Sequence, residues 1–126
     1  MLKDLQRLSR HYGIPLQMPP DFPVRTVLVM RVLSGLPPEQ IPQAAHTLFN
    51  AYWADNLDIA DREVVASLIG QEAVERAGMH EVKDALFKNT EEAVKRGAFG
   101  APTFFVEDEM FFVHDRLPLL ESHLRG

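Results

Sequence analysis

Two short runs, Thr103-Phe104-Phe105-Val106 and Met110-Phe111-Phe112-Val113, flank the acidic break Glu107-Asp108-Glu109 near the end of a chain that otherwise reads as helix. Aromatic and β-branched runs arranged in this way predict a β-hairpin. A hairpin of two strands is marginally stable in water on its own. At least one strand edge, and the sheet face bearing Phe104 or Phe105, is therefore expected to need a partner. Five of the eight phenylalanines lie between Phe99 and Phe112, and leaving each exposed costs about 1.5–3 kcal/mol. Self-association as a homodimer through the hairpin, by edge pairing or by exchange, follows as an expectation.

Ahead of the hairpin the apolar pattern has helical period. Leu2, Leu5, Leu8 and Tyr12 define a first helix stopped by Gly13 and Pro15. Pro15, Pro19, Pro20 and Pro23 fix the backbone and withdraw donors, which predicts an extended surface crossing. A buried helix is expected next, with Asp21 before its start and Gly35 at its end. Pro37 and Pro38 open another, whose face carries Ile41, Ala45, Leu48, Phe49 and Tyr52 and which ends near Asp55 and Asn56. Asp61 is placed to cap a short helix, and the pattern continues over Gln71–Ala77 and Glu81–Arg96 to Gly97. After the hairpin, Asp115 is expected to cap a last helix through Leu124, with Pro118 in its tolerant first turn. The fold class is α+β, mostly α: an all-helical segment over 1–97 and a β-β-α segment over 98–126.

With 126 residues and 46% hydrophobic content, the chain has the size of one ordinary globular domain with a real core. Its net charge of −5, with both signs interspersed, gives no cationic stripe for nucleic acid. The absence of cysteine removes disulfides, thiolate metal sites and any dithiol redox centre. The five histidines show no metal-ligand spacing. Neither a leader nor a membrane span is recognisable, and a cytoplasmic location is the default expectation.

Gly100-Ala101-Pro102-Thr103, followed by a hairpin and a capped helix, resembles the C-terminal half of a thioredoxin fold, in which the bond before this proline is typically cis. Such a bond would leave the N–H and C=O of Ala101 free to pair with a peptide laid antiparallel. An isolated Ala-Pro-Thr is more often an ordinary trans proline at the start of an edge strand; the longer context reverses that preference. The string "NTEEAVKRGAFGAPTFFVEDEMFFVHDRLPLLE", together with "LKDLQRLSRHYGIPLQMP" and "FNAYWADNLDIAD", is similar to the 2-hydroxychromene-2-carboxylate isomerases and the related kappa-class glutathione transferases. In that family an all-helical domain is inserted into a thioredoxin domain.

The resemblance implies a glutathione-dependent isomerisation of a small aromatic acid in aromatic-ring catabolism. It implies that the Ala101 backbone pairs with the cysteinyl part of glutathione and that Pro102 shapes this approach. Asp115 would accept from the γ-glutamyl amino group, and the open N–H groups at the start of the last helix would receive the γ-glutamyl carboxylate. An Asp before a helix also stabilises it with no ligand present, by roughly 0.5–2 kcal/mol. His114 departs from the small Ser or Asn usual in the family; its imidazole can donate a hydrogen bond or crowd the γ-glutamyl site. Arg116 is expected only to pair with a nearby carboxylate.

Trp53, with Tyr52 and Phe49, is a candidate lining for the aromatic substrate, although for Phe49 core packing is the stronger expectation. No catalytic residue is identified. The family's thiolate-binding serine lies in an opening strand-loop-helix-strand segment that nothing here matches, and Ser9, Ser34, Ser67 and Ser122 all stand in or beside expected helices. The chain is thus expected to be a member truncated at its amino end, weak or inactive alone. Two other readings are a DsbA-like thiol oxidoreductase relative, opposed by the lack of cysteine and by the "HDRL" ending, and a non-catalytic module that dimerises through its hairpin.

Overall fold

The computed structural model describes all residues, Met1–Gly126. Seven helices and one antiparallel strand pair make up the chain, so the class is α+β and mostly α. The chain divides into two compact units, Met1–Leu86 and Phe87–Gly126, and the division falls within one helix.

In the first unit α1 spans Leu2–Tyr12 and stops at Gly13, whose left-handed φ of 64° turns the chain so that the Ile14 N–H reaches the Ser9 carbonyl at 2.9 Å. Its apolar stripe is not a core face: no α1 residue is buried, and Tyr12 is 63% exposed. The proline-rich crossing that follows is partly packed and not wholly superficial, since Pro19 is buried. The Gln17 N–H donates to the Trp53 carbonyl at 2.7 Å and its Nε2 to the Ala54 carbonyl at 2.8 Å. This pins the crossing to the end of a later helix.

α2, Val27–Gly35, begins six residues after Asp21, which does not cap it; Thr26 stands at the cap without a side-chain bond. Pro23 offers no N–H and restricts the residue before it, so the chain turns helical only beyond it. Phe22–Pro23 is a cis bond. Gly35 is the last residue of α2, and an added Cβ there would lie 3.2 Å from Val82 Cγ2. A 3₁₀ turn over Pro38–Gln40 leads into α3, Ile41–Trp53.

Asp61 caps α4, Arg62–Ile69, by accepting from the Glu63 N–H at 2.8 Å. α5 covers Gln71–Arg76 and α6 covers His80–Lys95. The core is built from β-branched and small residues of α2 to α5: Val32, Val65 and Val74 are fully buried, and Val29, Leu48, Ala51, Tyr52, Ile59, Ala73 and Ala77 join them.

The second unit has no buried residue. Its strands are β1, Thr103–Val106, and β2, Glu109–Phe112, in the register Thr103↔Phe112 and Phe104↔Phe111. The turn is therefore the two-residue Glu107-Asp108, and Glu109 belongs to β2. No glycine is needed: Glu107 itself takes φ 52°, and its carbonyl accepts from the Arg96 guanidinium.

Both sheet faces are half covered from within the unit. Arg96 lies 4.2 Å over the Phe105 ring and Phe99 packs on Phe112 with centroids 4.6 Å apart. On the other face, Phe111 meets His123 at 5.7 Å. The two outer strand edges have no partner strand. A 3₁₀ turn, His114–Arg116, precedes α7, Leu117–Arg125, whose first turn holds Pro118. Asp115 therefore sits inside that turn and makes no capping bond, contrary to the sequence expectation. The turn at Val113, with φ 65°, starts the helical path at His114, two residues earlier than a cap at 115 requires.

Candidate functional site

In the second unit the strand register does the assembling. The Val113 N–H donates to the Pro102 carbonyl at 3.0 Å, one step beyond the Thr103↔Phe112 pair. Ala101 and His114 are the next residues outward on the two strands, so this end of the hairpin brings Ala101, Pro102, His114 and Asp115 together. All four are exposed.

Ala101–Pro102 is a cis bond. Neither the N–H nor the C=O of Ala101 takes a backbone partner, which leaves both available to an extended ligand. Gly100 fits closely against the sheet, because an added Cβ would lie 3.0 Å from the Phe112 ring. The Thr103 hydroxyl donates to the Gly100 carbonyl at 2.6 Å, which fixes the approach to Ala101.

Across from it, the N–H groups of His114 and Asp115 open the 3₁₀ turn and have no acceptor. The Asp115 carboxylate pairs with Arg116 at 3.2 Å, which is the role expected for Arg116. Two free backbone donors, one free strand segment and one exposed carboxylate thus converge on a patch suited to a small zwitterionic peptide.

The first unit holds a separate feature. An apolar cavity of about 500 Å3 opens beside the end of α3, lined by Phe22, Met30, Leu33, Phe49, Tyr52 and Trp53 among others. Trp53 meets Tyr52 edge-on at 4.8 Å and lies 6.1 Å from Phe22. Phe49 is 65% exposed, so it is a cavity wall and not the core residue that its helical spacing suggested; the core side of α3 is carried by Ala44, Leu48, Ala51 and Tyr52. Phe22 is a fourth ring, one that the sequence did not point to. It lies in the proline-rich crossing, where no periodicity assigns a face.

Of the serines, Ser9, Ser34 and Ser67 donate to the carbonyls of Ile14, Met30 and Val64. Each hydroxyl is thus tied to its own helix or to the loop beside it.

A cis-proline corner leading into a hairpin and a final helix, joined to a helical segment, defines a class. A family model described as the DSBA-like thioredoxin domain matches residues 1–125, and the chain belongs to that family. Among curated proteins it is similar to the 2-hydroxychromene-2-carboxylate isomerase of Pseudomonas putida, 32% identical over 126 residues that cover 94% of this chain and 61% of that protein. It is also similar to human glutathione S-transferase kappa 1, 31% identical over 147 residues, covering 100% of this chain and 65% of that protein. A solved structure of selenomethionine 2-hydroxychromene-2-carboxylate isomerase matches with a TM-score of 0.75 at 29% identity, covering 97% of this chain and 63% of that one. The chain spans about three fifths of the length of these relatives. No helix is long and apolar enough to cross a membrane.

Proposed function

We propose that this chain carries the peptide-binding part of a cytoplasmic, glutathione-dependent isomerase acting on a small aromatic acid, with 1–97 as the inserted helical domain and 98–126 as the C-terminal part of the thioredoxin-like domain. The observation that carries the proposal is the pair of unpartnered Ala101 backbone groups at the same hairpin end as Asp115 and the open N–H groups of His114 and Asp115. These groups match glutathione: a peptide backbone for Ala101, an ammonium for the Asp115 carboxylate and a carboxylate for the two donors. When bound, glutathione supplies a thiol whose reversible addition to a conjugated substrate converts a double bond into a rotatable single bond.

The residues of this chain orient that peptide. Pro102 and the Thr103–Gly100 hydrogen bond hold the backbone of Ala101 in place, and His114 borders the γ-glutamyl end. Within the first unit, taken by itself, the aromatic cavity with Trp53, Tyr52 and Phe22 fits the ring of an aromatic acid. Stabilisation of the thiolate is not provided by Ser9, Ser34 or Ser67, whose hydroxyls are engaged on backbone carbonyls. Ser122 is exposed on α7, and with no serine assigned to the thiolate the chain taken alone binds glutathione but turns over substrate weakly or not at all.

Calorimetric titration with glutathione tests the proposal. Saturable binding that weakens with Asp115→Ala is expected, and absence of binding refutes it. Because Trp53 is the sole tryptophan, fluorescence quenching by hydroxynaphthoic acid reads the aromatic cavity independently. A second reading, a non-catalytic module that forms homodimers through the hairpin, is favoured by the two open strand edges and by the absence of any buried residue in the second unit. A dimer in light scattering with no glutathione binding would select it.

A further inference from the structure

On the far side of α2 from the Trp53 cavity lies a second cleft of about 410 Å3. Thr26, Val29, Met30 and Leu33, at helical spacing, turn to the first cavity, whereas Leu28 and Arg31 turn to the second, and no residue lines both. The wall of the second cleft carries four cations from three stretches of chain: Arg25 and Arg31 around α2, Arg62 at the start of α4 and Lys83 in the first turn of α6. No carboxylate lines it. Leu28 and Ala77 supply an apolar floor.

These charges have no partners. Of the nine arginines, Arg7, Arg76, Arg96, Arg116 and Arg125 sit in ion pairs. Three of the remaining four face this cleft; the other is Arg10. The chain is not short of acids, with 18 Asp and Glu against 13 Lys and Arg. Of the two carboxylates beside Arg62 in sequence, Asp61 has Oδ1 engaged on the Glu63 N–H, and neither Asp61 nor Glu63 lines the cleft. Like charges gathered around one concavity repel, and a bound anion relieves that repulsion. Guanidinium groups also match carboxylate and phosphate oxygens in pairs.

We propose that this cleft binds a small amphipathic anion, a carboxylate or phosphate group on a compact apolar body. The site is separate from the peptide-binding corner and does not depend on the isomerase reading. Its volume lies within the range of small-molecule sites, about 300–1,000 Å3.

The test is calorimetric titration of the full chain with inorganic phosphate, phenyl phosphate and benzoate, with sodium chloride holding ionic strength constant. Saturable binding of phenyl phosphate or benzoate, tighter than that of inorganic phosphate, is expected; which of the two binds better identifies the head group. Arg31→Gln and Arg62→Gln should each weaken it roughly tenfold, while Arg10→Gln leaves it unchanged. If the half-buried Arg31 variant fails to fold, Arg62→Gln, at an exposed helix start, decides alone. Heat no greater than that of sodium chloride, equal affinity for inorganic phosphate, or affinity indifferent to Arg62→Gln would overturn the proposal.

Discussion

Replacing Asp115 by Ala separates the two roles open to a carboxylate beside a helix. A capping Asp contributes about 0.5–2 kcal/mol to stability. In the structure Asp115 lies within the 3₁₀ turn, makes no capping bond, and pairs with Arg116 while the two side chains are 58% and 53% exposed. Exposed pairs of this kind contribute about 0–1 kcal/mol, so the unfolding free energy should fall by no more than about 0.5–1 kcal/mol. Asp61 is the internal control, because its carboxylate accepts from the Glu63 N–H at 2.8 Å; Asp61→Ala should cost about 0.5–2 kcal/mol.

Ligand affinity should behave in the opposite way. A hydrogen bond to a charged group is worth about 1.5–3 kcal/mol, so Asp115→Ala should weaken glutathione binding roughly ten- to a hundredfold, and Asp61→Ala should not change it. Urea unfolding followed by circular dichroism measures the first quantity and calorimetric titration the second. Cysteinylglycine, which lacks the γ-glutamyl group, adds a ligand-side control, since its affinity should be the same for Asp115→Ala as for the unsubstituted chain. If Asp115→Ala loses as much stability as Asp61→Ala and binds glutathione unchanged, the carboxylate is structural and its assignment to the γ-glutamyl amino group fails.

Gly100→Ala would set a Cβ 3.0 Å from Cε2 and 3.2 Å from Cζ of Phe112, a ring already packed on Phe99. Overpacking of this kind costs about 1–3 kcal/mol, and the displaced segment carries Ala101, so both the stability of the second unit and its glutathione affinity should fall; unchanged affinity would show that the corner is not the site. Tyr52 is 7% exposed and its hydroxyl has no hydrogen-bond partner. Because an unsatisfied buried hydroxyl costs about 1–3 kcal/mol, Tyr52→Phe should leave thermal stability equal or raise it, and a loss beyond about 1 kcal/mol would mean that the hydroxyl is held by a buried water.

Helices α3 to α6 and the hairpin were legible because their apolar periods are regular and their ends carry local chemistry: Asp61 before α4, Gly97 after α6, Pro38 and Pro42 near the start of α3. Where local signals compete, the sequence misleads. Asp21 looks like a cap, yet α2 begins only at Val27, four residues beyond Pro23. Phe49 shares the spacing of Leu48 and Tyr52 but lies just beyond the buried arc of α3, a distinction of one residue that only packing settles. The grouping of Arg25, Arg31, Arg62 and Lys83 could not be read in advance, because it depends on where three helix starts meet.

The proposed peptide site is carried largely by main-chain atoms, and this decides which positions can vary without loss. Ala101 contributes an N–H and a C=O that any residue would offer, provided that the chain direction set by Gly100 and Pro102 is kept. The donors of His114 and Asp115 are likewise backbone groups made available by the 3₁₀ turn. Among these positions, only Asp115 is asked for a side-chain function, the negative charge opposite an ammonium. The imidazole at position 114 is then compatible with the site so long as the side chain stays exposed, as it does here. Recognition by backbone shape tolerates such substitutions and fails when geometry moves, which is why the proximity of Gly100 to Phe112 bears on binding as directly as the charge of Asp115.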